Sequence, residues 1–279
     1  MPVTDDDVKQ RRASSFGTVA SAYAEHRPDY PEEAIRWALA PALTGDGSRD
    51  TAGMVSGDGA GWSLAGMPVL DLGAGTGKLT AQLAALGAAV TAVEPDPSML
   101  AELRRQLPSV QASGGSAESI PLPDGSVRAV LCGQSLHWFN LERALPEIAR
   151  VLAPGGVLAG LWNNDDDQVE WVARLHEAAE GASSPALTAR RSATAVLRLG
   201  DTPRFTREES AEFPNGQRRT AESLVATIST HSKFLILPPP EQERVTRRMR
   251  AYLRSRPETS AGEFTLPMVT IVLRTIKNA

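Results

Sequence analysis

A short apolar segment that runs into three closely spaced glycines limits most strongly how this chain can fold. The stretch VLDLGAGTGKLT, residues 69–80, joins a run typical of a β-strand to a helix-like run through glycines at 73, 75 and 77. Glycines at such a junction permit a tight turn, and the free N–H groups of the following helix point towards a ligand. The stretch therefore predicts a strand–turn–helix unit of an α/β sheet, with a ligand site at the carboxyl end of the strand.

The same alternation continues beyond the glycines. Apolar, β-rich segments lie at 67–73, 88–94, 109–113, 127–133 and 157–162, and helix-like segments separate most of them. Asp96 followed by Pro97 is a typical start of a helix. Strands alternating with helices predict right-handed crossovers and a doubly wound, mostly parallel sheet.

Two phosphate-binding loops compete for the glycine stretch, and both fail. A nucleoside-triphosphate loop needs G-x-x-x-x-G-K-[ST], but Leu72 and Leu79 occupy two of its fixed positions. A dinucleotide loop needs G-x-G-x-x-G, but Lys78 stands where the third glycine belongs. The turn therefore predicts a ligand other than a pyrophosphate.

Two acidic residues indicate what that ligand is. Glu94 ends the second predicted strand, where an acid holds the ribose hydroxyls of a nucleoside. Asp71 ends the first strand near the turn, where a carboxylate repels phosphate and suits an ammonium or sulfonium group. The expected ligand has a ribose and a positive charge, and no phosphate.

Composition excludes several other functions. The net charge is −4 and the pI is about 5.7, which argues against nucleic-acid binding. No segment resembles a signal peptide or a membrane span. A single cysteine, Cys132, and four histidines without metal-ligand spacing predict no metal site. We therefore expect a cytoplasmic, metal-free protein.

Several stretches, in order, resemble the motifs of class I S-adenosylmethionine-dependent methyltransferases. DLGAGTG at 71–77 is similar to their first motif and VTAVEPDPSML to their second; GSAESIPLPDGSVRAVLCGQSLHWF and LAPGGVLAGLWNN resemble the segments around their fourth and fifth strands. The arm FGTVASAYAEHRPDYP and the HWF sequence narrow the resemblance to the small-molecule branch known as methyltransferase type 11, akin to trans-aconitate methyltransferases. It covers about residues 14–165 well.

The resemblance implies a Rossmann-like sheet of seven strands, the last antiparallel, with an N-terminal helical lid and a C-terminal cap. The expected organisation is a helical arm or lid at 1–40, a flexible loop at 41–66, an S-adenosylmethionine-binding core at 67–165, a cap or acceptor region at 166–230, and a helix with terminal strands completing the sheet at 231–279.

The implied activity is in-line transfer of a methyl group from S-adenosylmethionine to a small-molecule acceptor, secondary metabolites included, leaving S-adenosylhomocysteine. The expected partner is that small molecule, with no nucleic acid, membrane or metal, and the chain is a monomer or a homodimer. Two alternatives stay open: an S-adenosylmethionine-binding protein with a non-methyltransferase or regulatory role, and, less favoured, an NAD-dependent oxidoreductase.

The predicted site follows from the turn and from the resemblance. Predicted cofactor contacts are Tyr23, Arg27, Asp71, Gly73, Gly75, Gly77, Glu94, Pro95, Met99, Ala117, Glu118 and Gln134. Predicted substrate contacts are His26, Tyr30, His137, Trp138, Trp162 and Asn163. Two of these residues are also catalytic candidates, since His137 could act as a general base and Tyr23 could close over the methyl group. The alternative for HWF is a packed corner that supports the site.

One position departs from the pattern that the resemblance implies. The family usually has an acid where Arg128 stands, just inside the fourth predicted strand. We expect this change to affect a surface or an interface rather than binding of the methyl donor.

Overall fold

The structure is a computed structural model that describes residues 28–44, 64–180, 203–229, 234 and 237–278. Tyr23, His26 and Arg27 lie outside these ranges, together with the rest of the predicted arm up to residue 27 and with residues 45–63 of the predicted loop.

Helices and strands alternate through the first half of the described chain. The helices are α1 (Glu32–Thr44), α2 (Lys78–Ala85), α3 (Pro97–Gln106), α4 (Leu141–Val151), α5 (Glu170–Glu180), α6 (Ala221–Ser229) and α7 (Pro239–Ser255). The strands are β1 (Pro68–Leu72), β2 (Ala89–Glu94), β3 (Gln111–Gly114), β4 (Val127–Gly133), β5 (Leu152–Asp165), β6 (Glu209–Thr220) and β7 (Glu263–Ile276). A short 3₁₀ helix, Leu136–Trp138, follows β4.

The strands form one mixed sheet of seven, in the order β3-β2-β1-β4-β5-β7-β6. The pairs β1–β2, β1–β4, β2–β3 and β4–β5 are parallel. The predicted α/β fold class is therefore confirmed. The chain reverses its direction of winding between β1 and β4, and ligands of doubly wound sheets bind outside the carboxyl ends of the strands at such a point.

The chain divides into two compact units, which differ in their cores. The first comprises Met1–Trp162, Leu199–Phe213 and Ile271–Ala279, and the second comprises Asn163–Arg198 and Pro214–Thr270. In the first unit, apolar residues of α1, α2, β1, β4 and β5 form a fully buried cluster, including Ile35, Leu39, Leu83, Leu131 and Leu161. The core of the second unit is built mainly from α5, α6, α7 and the start of β7, and includes Val172, Leu175, Met249 and Leu253.

Helix α1 continues through Pro41 to Thr44, so residues 41–44 are helical where the sequence predicted a loop. A proline inside a helix has no N–H for the carbonyl four residues earlier, which here belongs to Trp37. Nη1 of Arg274 donates to that carbonyl instead, and its guanidinium carbon lies 3.8 Å from the centroid of the Trp37 ring. The long-range donor replaces the lost helical bond, which explains why the helix does not stop at the proline.

Arg128, the residue that departs from the pattern expected of this sequence, contacts the same helix. Its Nη2 donates to the carbonyl of Ala42 at 2.7 Å, near the end of α1. Because carbonyls in the last turn of a helix have no helical partner, a cation there stabilises the helix end.

Strand β5 begins earlier than the sequence suggests. The Ala-Pro-Gly-Gly stretch at 153–156 was expected to separate α4 from a strand at Val157, but the strand runs from Leu152. Val127 pairs with Leu152 and Ala129 with Val157, so these residues form a bulge within the strand. Gly155 has φ +71°, a backbone conformation that glycine adopts without steric cost.

Candidate active site

Gly73, the first glycine of the turn, is held between β2 and the residues that follow β4. The N–H groups of Gly73 and Ala74 both donate to the carbonyl of Val93, at 2.8 and 3.1 Å. Gly73 has φ +71°, and a Cβ added there would lie 2.6 Å from Cβ of Ser135. The Ser135 hydroxyl donates to the carbonyl of Leu72 at 2.7 Å. Only glycine fits this position, because both the backbone conformation and the close approach exclude a side chain.

The second glycine brings the turn into contact with Glu94. The N–H of Gly75 donates to Oε2 of Glu94 at 2.8 Å, and the N–H of Asp96 donates to Oε1 at 2.9 Å. Glu94 is 5% exposed, and burial raises its pKa while the two N–H donors offset part of that rise. A carboxylate oxygen accepts two hydrogen bonds, so each oxygen retains capacity for one more donor.

The third glycine starts helix α2. Gly77 is its N-cap in the left-handed conformation, with φ +92° and no side-chain cap. A Cβ there would lie 3.0 Å from Leu103 and from Leu107. The glycine therefore lets α2 begin in close contact with the end of α3.

Asp71 lies near the end of β1, just before the glycine turn, and is 1% exposed. Its Oδ2 accepts the Thr80 hydroxyl at 2.6 Å, whereas its Oδ1 is buried without a hydrogen-bond partner. Burial raises the pKa of Asp71 to about 7, with a smaller contribution from the charge of Glu94 and an opposing one from the Thr80 hydrogen bond. Near neutral pH the carboxyl is therefore only partly ionised.

The predicted adenine contacts lie around the end of β2 and the loop after β3. Asp96 caps α3 as predicted, and its Oδ1 accepts from the N–H groups of Ser98 and Met99. Met99 is 8% exposed, and its Sδ lies 3.9 Å from the position of a Cβ on Gly75. Met99 is therefore adjacent to the glycine turn, and its contact with adenine stays a prediction.

The remaining predicted residues of this group differ in exposure. Pro95 is exposed, and Ala117 is 3% exposed. Oε1 of Glu118 accepts the N–H of Asn140, the N-cap residue of α4, at 2.9 Å. Glu118 therefore also supports the start of a helix.

The turn after β4 is tightly packed. Gln134 has φ +56°, the one positive φ of a residue other than glycine in the described ranges, and its N–H donates to the carbonyl of Leu161 at 2.9 Å. A Cβ on the preceding residue, Gly133, would lie 2.8 Å from the hydroxyl oxygen of Tyr30. Residues in sparsely populated backbone regions are concentrated at functional sites. The donor contact of Gln134 stays a prediction.

Tyr30 lies in the core, not on an open face. It is 6% exposed, and Gln82 holds its backbone at two points: the Tyr30 N–H donates to Oε1 at 2.9 Å, and Nε2 donates to the Tyr30 carbonyl at 2.8 Å. The neighbouring Asp29 forms an ion pair with Lys78 at 3.0 Å. This segment is thus attached to α2 immediately after the glycine turn.

The HWF corner contains a hydrogen bond between two of the predicted substrate residues. Nε1 of Trp162 donates to Nδ1 of His137 at 3.1 Å. The rings of His137 and Trp138 have centroids 4.9 Å apart. Trp162 is buried and His137 is exposed.

Asn163 belongs to the second unit, whereas Trp162 belongs to the first. Its Oδ1 accepts from Nδ2 of Asn215 at 3.1 Å and from the hydroxyl of Thr270 at 2.5 Å. The acceptor contact predicted for Asn163 stays a prediction.

Sequence reasoning missed four residues of this arrangement: Thr80, Gln82, Ser135 and the lysine of the Lys78–Asp29 pair. Each acts on a residue that is distant in sequence or on the backbone, so no local motif marks it. Lys78 carried a weak signal, because a cation in the first turn of a helix is unfavourable for the helix dipole unless an acid is close by.

Comparison with known proteins decides the family. The profile of a family described as methyltransferase domain matches residues 70–160. An uncharacterized methyltransferase of Mycobacterium tuberculosis is 37% identical over 261 residues, which are 93% of this chain and 94% of that protein. The chain belongs to the class I S-adenosylmethionine-dependent methyltransferases. The predicted resemblance is thereby confirmed.

Two further proteins are similar to this methyltransferase, one over a third of the chain and the other over most of it. A demethylmenaquinone methyltransferase of Chlorobaculum parvum is 39% identical over 90 residues, which are 32% of this chain and 37% of that one. The solved structure of a candidate type II methyltransferase from Anaeromyxobacter dehalogenans has a TM-score of 0.64 at 23% identity, covering 90% of this chain and 97% of that chain. At that identity the structural likeness supports the fold alone.

The residues of the methyltransferase fit S-adenosylmethionine, the cofactor that its family implies. Glu94 offers two buried carboxylate oxygens with remaining acceptor capacity, and Oδ1 of Asp71 is buried and unpartnered. At Gly75 a Cβ would meet only Met99 within 4 Å, so the turn leaves open space there. A ribose diol and a cationic group are complementary to these features.

The described residues fit neither a metal site nor a membrane span. They contain no group of three or more His, Cys, Asp or Glu side chains placed to hold a metal ion. None of the helices in those ranges combines the length and the hydropathy of a membrane span.

Proposed function

We propose that this methyltransferase transfers the methyl group of S-adenosylmethionine to a small organic acceptor at the carboxyl ends of β1, β2 and β4. One observation carries the proposal: the glycine turn after β1 binds the carboxylate that ends β2, through the 2.8 Å bond from the Gly75 N–H to Glu94. That bond supports the proposal because it holds the buried Glu94 carboxylate, the proposed acceptor of the ribose diol, against the glycine turn.

The other donor contacts extend from this point. Met99 and Ala117 offer apolar surface for the adenine ring, with Glu118 and Pro95 at its edge. Gln134 and Asp71 are assigned to the methionine end of the donor, where a cation is stabilised by partial ionisation of the buried Asp71. The contacts expected of Tyr23, His26 and Arg27 stay predictions.

Catalysis in this proposal is mainly positioning. The bound donor supplies a methyl group on a sulfonium sulfur, and that sulfur is the leaving group of an in-line displacement. The protein holds the acceptor against that methyl group and excludes water, which converts a bimolecular reaction into an effectively unimolecular one. The rigid turn at Gln134 and the hydrogen-bonded corner of Trp162 and His137 support such positioning.

A small acceptor fits the charge of the chain. With a net charge of −4 and a pI of about 5.7, it lacks the basic field that binding to a nucleic-acid backbone needs. The relative from Chlorobaculum parvum is named for a small molecule, demethylmenaquinone. His137, Trp138 and Trp162 are assigned to the acceptor side, whereas the acceptor contact of Asn163 stays a prediction.

A transfer assay tests the proposal. The protein is incubated with S-adenosylmethionine carrying a radioactive methyl group and with three fractions of a bacterial extract: small molecules, nucleic acid and protein. We expect label to appear in the small-molecule fraction. Label found in nucleic acid or protein alone would overturn the assignment of the acceptor class.

A further inference from the structure

The indole of Trp162 has a fixed orientation. The side chain is 8% exposed and lies against its own strand at Gly160, where an added Cβ would be 2.4 Å from Cη2 of the indole. Leu136, the residue before His137, packs at the same place, since its Cδ2 would be 2.9 Å from that Cβ. Gly160 therefore creates the space that the indole occupies.

The hydrogen bond of this indole determines where His137 carries its proton. An indole nitrogen can only donate, so Nδ1 of His137, 3.1 Å away, must be the acceptor. A neutral imidazole with an acceptor at Nδ1 carries its proton on Nε2. A proton on Nδ1 would face the indole N–H and leave that buried donor without its partner, which is costly.

The ring of His137 is exposed, whereas Leu136 beside it is fully buried and fixes the 3₁₀ turn. The corner lies at the carboxyl end of β4, where Gly133 pairs with Leu161 of β5, and the methyl acceptor is expected at this edge of the sheet. Nε2, the ring nitrogen of His137 that does not bind Trp162, is thus an N–H group.

We propose that Trp162 holds His137 as a neutral hydrogen-bond donor that binds the methyl acceptor through Nε2 and does not remove a proton from it. The acceptor then has an oxygen or nitrogen lone pair at this point, and its nucleophilic atom does not depend on His137 for deprotonation. This role replaces the general-base role expected from the sequence. It rests on the proposed function only for the identity of the bound molecule.

Nitrogen NMR of the free protein tests the tautomer directly. The chain has four histidines, so a sample with ¹⁵N-labelled histidine gives few signals, and His137→Asn assigns the one of interest. At pH 8 we expect Nε2 protonated and Nδ1 unprotonated in the wild type, and a several-fold fall in that tautomer ratio in Trp162→Phe. A wild-type ring protonated at Nδ1, or a ratio unchanged in Trp162→Phe, would overturn the proposal.

A matched pair of variants separates this bond from general packing. His137→Asn keeps an acceptor oxygen near the position of Nδ1, whereas His137→Leu removes it. The indole N–H of Trp162 should exchange with solvent at least about tenfold faster in the Leu variant than in the Asn variant, as expected for a lost hydrogen bond of about 1.4 kcal/mol. Equal exchange rates would contradict the assignment. Failure to bind S-adenosylhomocysteine would instead contradict the proposed function, and would leave the tautomer result standing.

Discussion

At the scale of single residues, the most informative one is Asp71, because its position and its ionisation differ from what a surface acid shows. It lies just before the glycine turn, with one oxygen bound to Thr80 and the other without a partner. A buried acid with a partner for only one oxygen is costly to ionise, and such residues are concentrated at functional sites. The free energy of unfolding should therefore depend on pH.

Asp71 makes the protein less stable as the pH rises towards neutral. Its pKa is raised from 3.8 to about 7, so between these values the folded state binds more protons than the unfolded state. The free energy of unfolding then decreases from about pH 4 to about pH 7, by up to about 1.4 kcal/mol per pH unit for one proton. The raised pKa of Glu94 contributes with the same sign. Urea denaturation at several pH values measures the slope.

The variant Asp71→Asn is the matched test, since it keeps the shape of the side chain and removes the group that titrates. We expect a shallower slope between pH 5 and pH 7 than in the wild type. The same slope in both proteins would mean that Asp71 does not titrate in this range.

Gly73 allows a second prediction, with Gly155 as its control. Both have φ +71°, but a Cβ on Gly73 would lie 2.6 Å from Ser135 whereas one on Gly155 meets nothing within 4 Å. Gly155→Ala should cost about 1–2 kcal/mol for the backbone conformation alone. Gly73→Ala should cost at least about 2 kcal/mol more, because the turn must move away from Ser135. Thermal denaturation compares the two variants, and equal losses would contradict the close approach.

At the scale of elements, the end of helix α1 depends on a residue far away in sequence. Pro41 leaves the carbonyl of Trp37 without a helical donor, and Arg274, 237 residues after Trp37, supplies one. Arg274 is 5% exposed and also binds Glu209 through Nε and Nη2, at 2.9 and 2.7 Å. The helix and strand β7 are therefore coupled through one guanidinium group.

A double-mutant cycle tests this coupling. Arg274→Met should reduce the free energy of unfolding by about 2–3 kcal/mol, because the buried carbonyl and the hydrogen-bonded Glu209 lose their donor. In a Pro41→Ala background the loss should be about 1 kcal/mol smaller, since the alanine restores the helical N–H. The measurement is chemical denaturation of the four proteins. An identical loss in both backgrounds would show that the two residues do not share the Trp37 carbonyl.

The elements that carry local signals could be predicted from the sequence. The glycine turn, the Asp96–Pro97 helix start and the strand at Val127–Gly133 all depend on residues close together in the chain. The end of α1 could not be predicted, because its donor is remote. The bulge that starts β5 at Leu152 was also missed, since Pro-Gly-Gly is typical of a turn, and the pairing with β4 overrides that preference.

The candidate site could be predicted only in part, for the same reason. Glu94 and the glycines are adjacent in sequence to the strand ends that place them, so their grouping followed from topology. The bond between Trp162 in β5 and His137 after β4 joins residues 25 positions apart, and nothing in either local sequence indicates it. Tyr30, a predicted substrate contact in the arm, is buried beside Gly133 through packing that its local sequence does not indicate, and its contact with the substrate stays a prediction.

At the scale of the whole molecule, the residues of the proposed donor site that the structure describes all lie in the first unit. The second unit has its own apolar core and its own polar group around Asn163. We therefore expect the β1–β4 region to bind the donor, and we expect this binding to depend on Glu94.

Calorimetric titration with S-adenosylhomocysteine measures donor binding at Glu94. We expect the protein to bind S-adenosylhomocysteine and not NAD. We expect an affinity about 10- to 100-fold weaker in Glu94→Ala, the value of one hydrogen bond to a charged group. Glu102→Ala is the control, because that carboxylate pairs with Arg105 on α3 at 2.6 Å and should leave the affinity unchanged. Binding of NAD without S-adenosylhomocysteine, or a wild-type affinity in Glu94→Ala, would contradict the assignment of Glu94 to the donor.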